Sequence, residues 1–290
     1  MNKDDLTSIG KYKNIGLLDS DLPCTLSFLS NKEFLSQLQI NKNIKGLFVS
    51  KDLIHIVPEN VECHISSDPA YDFFSRFNEY HKSKKGHSKS LISNSAHIHE
   101  SAFIAENNVV INDGVKIGAN AVILEDVVIG EGTIIGEGSV LGSSCIEAKI
   151  TSKGIIDVIH NRNVEIGKNV IIGANCTIDK GVYHRDTLIG DETRLGNNTL
   201  ISHGAHIGKK CLVLSCTICG SATIEDGARL NPGATISSKV LVKEDSVVTV
   251  GSVVVSTVES GKRVSGNFAI NHERYLWKYI KAFGLIDSSK

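Results

Sequence analysis

Aliphatic residues recur every six positions over much of this chain. Ile117, Ile123, Ile129, Ile135 and Leu141 set the beat; Ile166, Ile172 and Ile178 resume it; Ile189, Leu195, Ile201, Ile207 and Val213 extend it. After a slip of one residue it continues at Ile218, Ile224, Leu230, Ile236, Val242, Val248 and Val254, and Ile92, Ile98 and Ile104 keep the same step upstream. A period of six is not helical, although it contains the alternation of a strand. Three hexads close a triangular coil of about 18 residues, with one short strand per side and the aliphatic residue turned inward. Gly and Asn at the corners, as in Gly118-Ala119-Asn120 and Gly173-Ala174-Asn175, suit left-handed backbone angles. The pattern predicts a β fold, a left-handed parallel β-helix of hexapeptide repeats over residues 87–258.

The rhythm fails at 143–163 (SSCIEAKITSKGIIDVIHNRN). An insertion there should loop out from one corner, and in repeat folds such loops tend to build the binding face. The ends of the chain also lack the hexad. Residues 1–86 read as a small α/β domain: a strand near Leu26–Leu29, a helix from Lys32 to about Gln39, a strand Gly46–Val49 and a helix around Ala70–His81. HKSKKGHSKS (81–90) reads as a solvated polar linker. Within the tail, 259–290, the segment NHERYLWKYIKAF (271–283) has helical amphipathicity. Tyr275, Leu276, Tyr279 and Ile280 fall on one face, with Arg274, Lys278 and Lys281 among the polar positions.

Composition narrows the function classes. The 31 Lys+Arg balance 32 Asp+Glu, so no nucleic-acid or membrane surface is expected as the main partner. The opening MNKDDLTSIG has no apolar signal core, and no stretch reaches the roughly 18 apolar residues of a membrane span. The seven cysteines are an odd, scattered set that does not suggest a disulfide framework. A cytoplasmic protein is expected. Cys216 and Cys219 form a CxxC without a second pair at zinc-finger spacing, so they read as small interior residues and no metal site is expected.

Three motifs carry a family resemblance: LSFLSNKEF (26–34), GANCTIDKG (173–181) and LGNNTLISHGAHIG (195–208). With the order of small N-terminal domain, β-helix and C-terminal helix, the chain resembles the UDP-3-O-acylglucosamine N-acyltransferases of lipid A and lipopolysaccharide synthesis, or a shortened nucleotide-sugar N-acyltransferase related to them. The resemblance implies that Phe28, Asn31 and Phe34 clamp a uracil, two aromatic faces with an amide at the base edge. It implies His203 as the general base and the Gly220 backbone N–H as the oxyanion donor. His206 and His184 are reserves among eleven histidines. Lys180 stands for the family's Arg and Phe34 for its Tyr. Ser238-Lys239 falls where a Gly-His pair is usual, which makes Lys239 a candidate contact for the acyl donor, and Val264-Ser265-Gly266-Asn267-Phe268-Ala269 replaces a Ser-Ser-Gly-x-Pro segment.

The expected activity is acyl transfer from acyl-CoA or acyl-carrier protein, as co-substrate, to the amino group of a UDP- or dTDP-linked amino sugar. No tightly bound cofactor is expected, and a homotrimer is. A γ-type carbonic anhydrase uses the same helix, but the three-residue spacing of His203 and His206 fits its ligand pattern poorly. A non-enzymatic β-helical scaffold would need neither His203 nor the clamp.

Overall fold

The computed structural model describes residues 11–84, 86–266, 269 and 271–282. The repeats form a left-handed parallel β-helix whose three faces carry eight, eight and nine short strands. The hexad aliphatics stack in vertical columns. One column runs Ile104, Ile123, Leu141, Ile178, Ile201, Ile218, Ile236 and Val254, each in register with the next. These side chains are buried almost without exception and make one continuous core. Burial of stacked β-branched residues is what stabilises a repeat that cannot cover its own apolar face.

The corners are built by two devices rather than one. Asn120 and Asn175 adopt left-handed φ of 57° and 55°, which Asn tolerates better than most residues. Gly118 and Gly173 do not take positive φ. A Cβ on Gly118 would lie 2.9 Å from Glu137 N, and one on Gly173 2.6 Å from Asn197 N. They are glycines because the next coil passes over them, not because the corner needs their conformational freedom.

The N-terminal unit is a four-stranded parallel sheet in the order β1 (Asn14–Ile15), β2 (Thr25–Leu29), β3 (Ile44–Val49), β4 (Glu62–Ile65). The helix expected from Lys32 starts as a 3-10 turn, Lys32–Phe34, and becomes α-helical only over α1 (Leu35–Ile40). A second helix, α2 (Pro69–Lys84), covers the sheet. It runs into the segment read as linker because Phe73 and Phe77 continue their stripe to His81, whose ring packs 4.4 Å from that of Phe77. The C-terminal helix α3 spans His272–Ala282, with Tyr275, Leu276 and Trp277 exposed. The side chains of Lys278, Tyr279 and Lys281, and residues 267, 268 and 283, which the sequence reading also used, lie outside the described residues. Among the described residues, no helix is long and apolar enough to cross a membrane.

The insertion does not stand free. It folds into an antiparallel hairpin, Ala148–Thr151 with Gly154–Asp157, that docks on α2. Asn78 donates to Asp157 O (2.8 Å) and accepts from Ile159 N (2.9 Å), while Asp68 accepts from Ser152 N (2.7 Å). Val158 and Val182 complete the cluster of Phe73, Phe74 and Phe77. The insertion therefore fastens the N-terminal unit to one edge of the prism.

Candidate active site

That edge is where the chemistry-bearing residues meet. The chain leaves the Leu141 column and returns at Ile166 through the insertion; one coil later it leaves at Ile178 and returns at Ile189 through a second, shorter loop bearing Tyr183 and His184. His203, Gly220 and Lys239 occupy the same corner in the next three coils, because Ile201, Ile218 and Ile236 are consecutive in one column. Stacking is tight. Ser221 N donates to His203 O at 2.9 Å, and Lys239 N to Gly220 O at 3.1 Å. Among the described residues the Gly220 N–H has no hydrogen-bond partner. A Cβ on Gly220 would lie 2.8 Å from His203 Cε1 and 3.0 Å from Cδ2, so the imidazole rests on bare backbone.

Polar groups flank both ring nitrogens of His203. Nδ1 lies 3.0 Å from Cys145 Sγ, and Nε2 lies 3.7 Å from Glu147 Oε2. Cys145 Sγ is also 3.2 Å from His160 Nε2 and lies beside the charge of the Asp179 carboxylate, which accepts from Ser143 Oγ at 2.6 Å. Burial, with the Asp179 charge beside it, pushes the Cys145 thiol up to about 12, so it stays protonated at neutral pH. Burial and the neighbouring His203 bring His160 down to about 4, so it is neutral. A protonated thiol can donate to Asp179 and accept from His203 Nδ1–H. That tautomer leaves Nε2 unprotonated and facing the cleft.

Glu147 is held ionised. Burial alone would raise its pKa, but hydrogen bonds from Lys149 and from Tyr183 Oη (2.7 Å) outweigh that and lower it. Burial, and then the same bond, raise Tyr183 far above the ordinary phenol range. The Ile-Asp-Lys-Gly signature serves the walls: Asp179 backs Cys145, and Lys180 Nζ pairs with Asp126 Oδ2 at 2.8 Å in the preceding corner.

Two confluent clefts open on this corner. One, of about 500 Å³, is lined by Glu147, Tyr183, Arg185, His203, Gly220 and Lys239 among others. The second, of about 520 Å³, is lined by Leu17, Phe28, Phe34, Phe74, Tyr183 and Lys239 among others. They share Leu17, Asp19, Lys149, Tyr183 and Lys239. Phe28 packs against Phe73 and Phe74, at ring separations of 4.7 and 5.2 Å; Phe34 is 45% exposed. Asn31 does not line the cleft. Its side chain caps the 3-10 turn, accepting from Glu33 N at 2.6 Å. His206 sits on another face with Nε2 3.1 Å from Asp186 O, and His184 lines the first cleft. Cys216 is interior and Cys219 partly exposed. Cys145, Glu147, His160 and Tyr183 were not legible as site residues: they lie in loops outside the repeat, where no spacing rule places a side chain.

Residues 108–143 match the family of bacterial transferase hexapeptides (six repeats), and residues 163–183 and 187–215 match the hexapeptide repeat of succinyl-transferases. These coils are similar to those of hexapeptide-repeat transferases. Among curated relatives, a UDP-3-O-acylglucosamine N-acyltransferase of Bordetella pertussis is 32% identical over 104 residues, 36% of this chain and 28% of that protein. One from Rickettsia massiliae is 47% identical over 76 residues, 26% of this chain and 22% of that protein. The chain thus spans only about a quarter of the length of these relatives. A solved UDP-N-acetylglucosamine acyltransferase from Bacteroides fragilis is 26% identical with a TM-score of 0.44, covering 61% of this chain and 67% of that one.

Proposed function

We propose that this chain is a hexapeptide-repeat transferase that moves an acyl group from a thioester, acyl-CoA or acyl-carrier protein, to the amino group of a UDP- or dTDP-linked amino sugar. One observation carries the reading: His203 and Gly220, whose N–H has no partner among the described residues, share one cleft, and that cleft continues into a second lined by Phe28 and Phe34. In this reading the nucleobase lies against the phenylalanines. The diphosphate passes Lys149 and Arg185, and the amino sugar reaches His203.

The chemistry needs little else. Glu147 holds the substrate ammonium, and His203 Nε2 takes one of its protons. The freed amine attacks the thioester carbonyl, whose oxyanion accepts from the Gly220 N–H. As the carbon–sulfur bond breaks, the imidazolium returns its proton to the departing thiolate, and the remaining extra proton on the new amide nitrogen leaves to solvent. Amide and thiol are the products, and the Cys145 contact keeps the ring turned throughout.

A homotrimer is part of the proposal. Outward-facing Ile134 and Ile171, paired across adjacent coils, are 37% and 39% exposed and supply apolar surface for packing prism on prism. Light scattering that finds a stable monomer at micromolar concentration rules the trimer out.

The test of function is a panel of UDP- and dTDP-amino sugars, each offered acetyl-CoA, hydroxybutyryl-CoA or hydroxyacyl-carrier protein. We expect thiol release with at least one amino sugar, and His203→Ala to lower kcat by roughly 10²–10⁴ with nucleotide affinity retained. A short acyl-CoA is the proposed donor, because Lys239 stands where the resemblance has a histidine and meets an anionic donor. Exclusive use of the carrier protein would favour the lipid A substrate instead. If no nucleotide shifts the melting temperature and no thioester is consumed, the proposal fails and the scaffold reading stands.

A further inference from the structure

Behind His203, on the side away from the cleft, three potential metal-ligating atoms converge in a way the transfer chemistry does not require. Cys145 Sγ, His160 Nε2 and His203 Nδ1 lie within 4.8 Å of one another, with the sulfur 3.2 and 3.0 Å from the two nitrogens. We propose that these three atoms form a site for a zinc-class divalent ion. The proposal stands on the ligand geometry and not on the acyl-transfer reading.

Tetrahedral zinc with bonds of about 2.3 Å to sulfur and about 2.0–2.1 Å to nitrogen separates neighbouring ligands by about 3.4–3.6 Å. The two sulfur–nitrogen separations fall about 0.3–0.6 Å short of that, as direct contacts should, and small side-chain rotations open the space. One thiolate and two imidazoles select zinc, cobalt, nickel or copper over magnesium or calcium. The His160 and His203 rings meet edge to face at 5.7 Å, so their ligating nitrogens approach the sulfur from different directions.

The three ligands come from the two stems of the insertion and from the prism corner, so an ion there ties the insertion to the β-helix. Three protein ligands leave a fourth position for water.

Binding is balanced in protons. The thiol proton leaves to solvent, and the imidazole proton of His203 moves from Nδ1 to Nε2 as the metal takes Nδ1. A metal-bound His203 then carries its proton on the cleft side and cannot act as a base there. Occupancy and proton abstraction exclude each other, so the site makes the corner sensitive to metal.

The test uses the full chain, reduced and stripped of metal, titrated with Co²⁺ and then with Zn²⁺. We expect a thiolate-to-cobalt charge-transfer absorption that saturates at one ion per chain and is bleached by zinc. Cys145→Ser should abolish the band while circular dichroism and thermal unfolding stay native. His160→Gln should weaken binding by at least about 100-fold, since even outer-sphere changes cost 10–100-fold. Absence of the band, or its persistence in Cys145→Ser, overturns the proposal. Neither readout depends on substrate, so failure here leaves the transferase reading untouched.

Discussion

Gly220→Ala isolates the packing of His203 from every other feature of the corner. Gly220 has no positive φ, so alanine fits its backbone, and the N–H proposed to meet the oxyanion is retained. What changes is one methyl group aimed at the imidazole, 2.8 Å from Cε1 and 3.0 Å from Cδ2. Ordinary carbon contacts need about 3.5–4.0 Å, so the ring must retreat by roughly 0.5–1 Å. That movement breaks the alignment with Cys145 Sγ, and displacement of that size costs on the order of 10² in rate. Overpacking a filled site costs about 1–3 kcal/mol; with His203 partly exposed, about 1 kcal/mol is expected. The decisive measurement is a double-mutant cycle in urea. Gly220→Ala should destabilise the wild type by that amount, yet be nearly neutral in a His203→Ala background, where the methyl group enters vacated space. Equal destabilisation in both backgrounds would show that the glycine answers to the coil and not to the histidine. Full kcat in Gly220→Ala would refute the placement of the base.

Phe34→Ala removes an exposed ring and should weaken UDP binding by about 1–3 kcal/mol by calorimetry without lowering the melting temperature, whereas Phe28→Ala should lower both because Phe28 also packs on Phe73 and Phe74. Lys180→Met leaves Asp126 without its ion-pair partner; breaking a buried pair costs about 3–5 kcal/mol, and partial exposure of Asp126 reduces this to about 2–3 kcal/mol in denaturant unfolding. Burial, and then the Arg185 charge, lower the pKa of His206 in the folded protein, with Asp186 opposing. The unfolded chain therefore takes up a proton that the folded chain resists, so stability falls as pH drops through the ordinary histidine range near 6.5. His206→Gln should flatten that part of the stability–pH curve, and an unchanged slope would remove His206 from the account.

The repeat could be read from sequence because its cause is local and recurrent. Each hexad places one aliphatic residue inward, and the columns through Ile123, Ile201 and Ile236 need only the period to be drawn. The one-residue slip after Val213 already aligned Gly220 over His203, since a coil shortened at one corner still stacks its neighbours. Parts of the N-terminal unit were legible for the same reason, although β1, β4 and the length of α2 depended on packing that the pattern does not encode.

The rest of the site required the tertiary structure. Cys145, Glu147 and His160 lie in an insertion with no period, and their positions follow from its hairpin docking on α2 through Asn78 and Asp68. Tyr183 reaches Glu147 only because two unrelated loops leave the same corner. Asn31 was expected at a nucleobase edge, but local backbone geometry turned it to cap the turn that follows. Sequence period determines what stacks; which side chains face one another across a corner depends on contacts between segments far apart in the chain, and those are decided only when the coils, the insertion and the N-terminal sheet pack together.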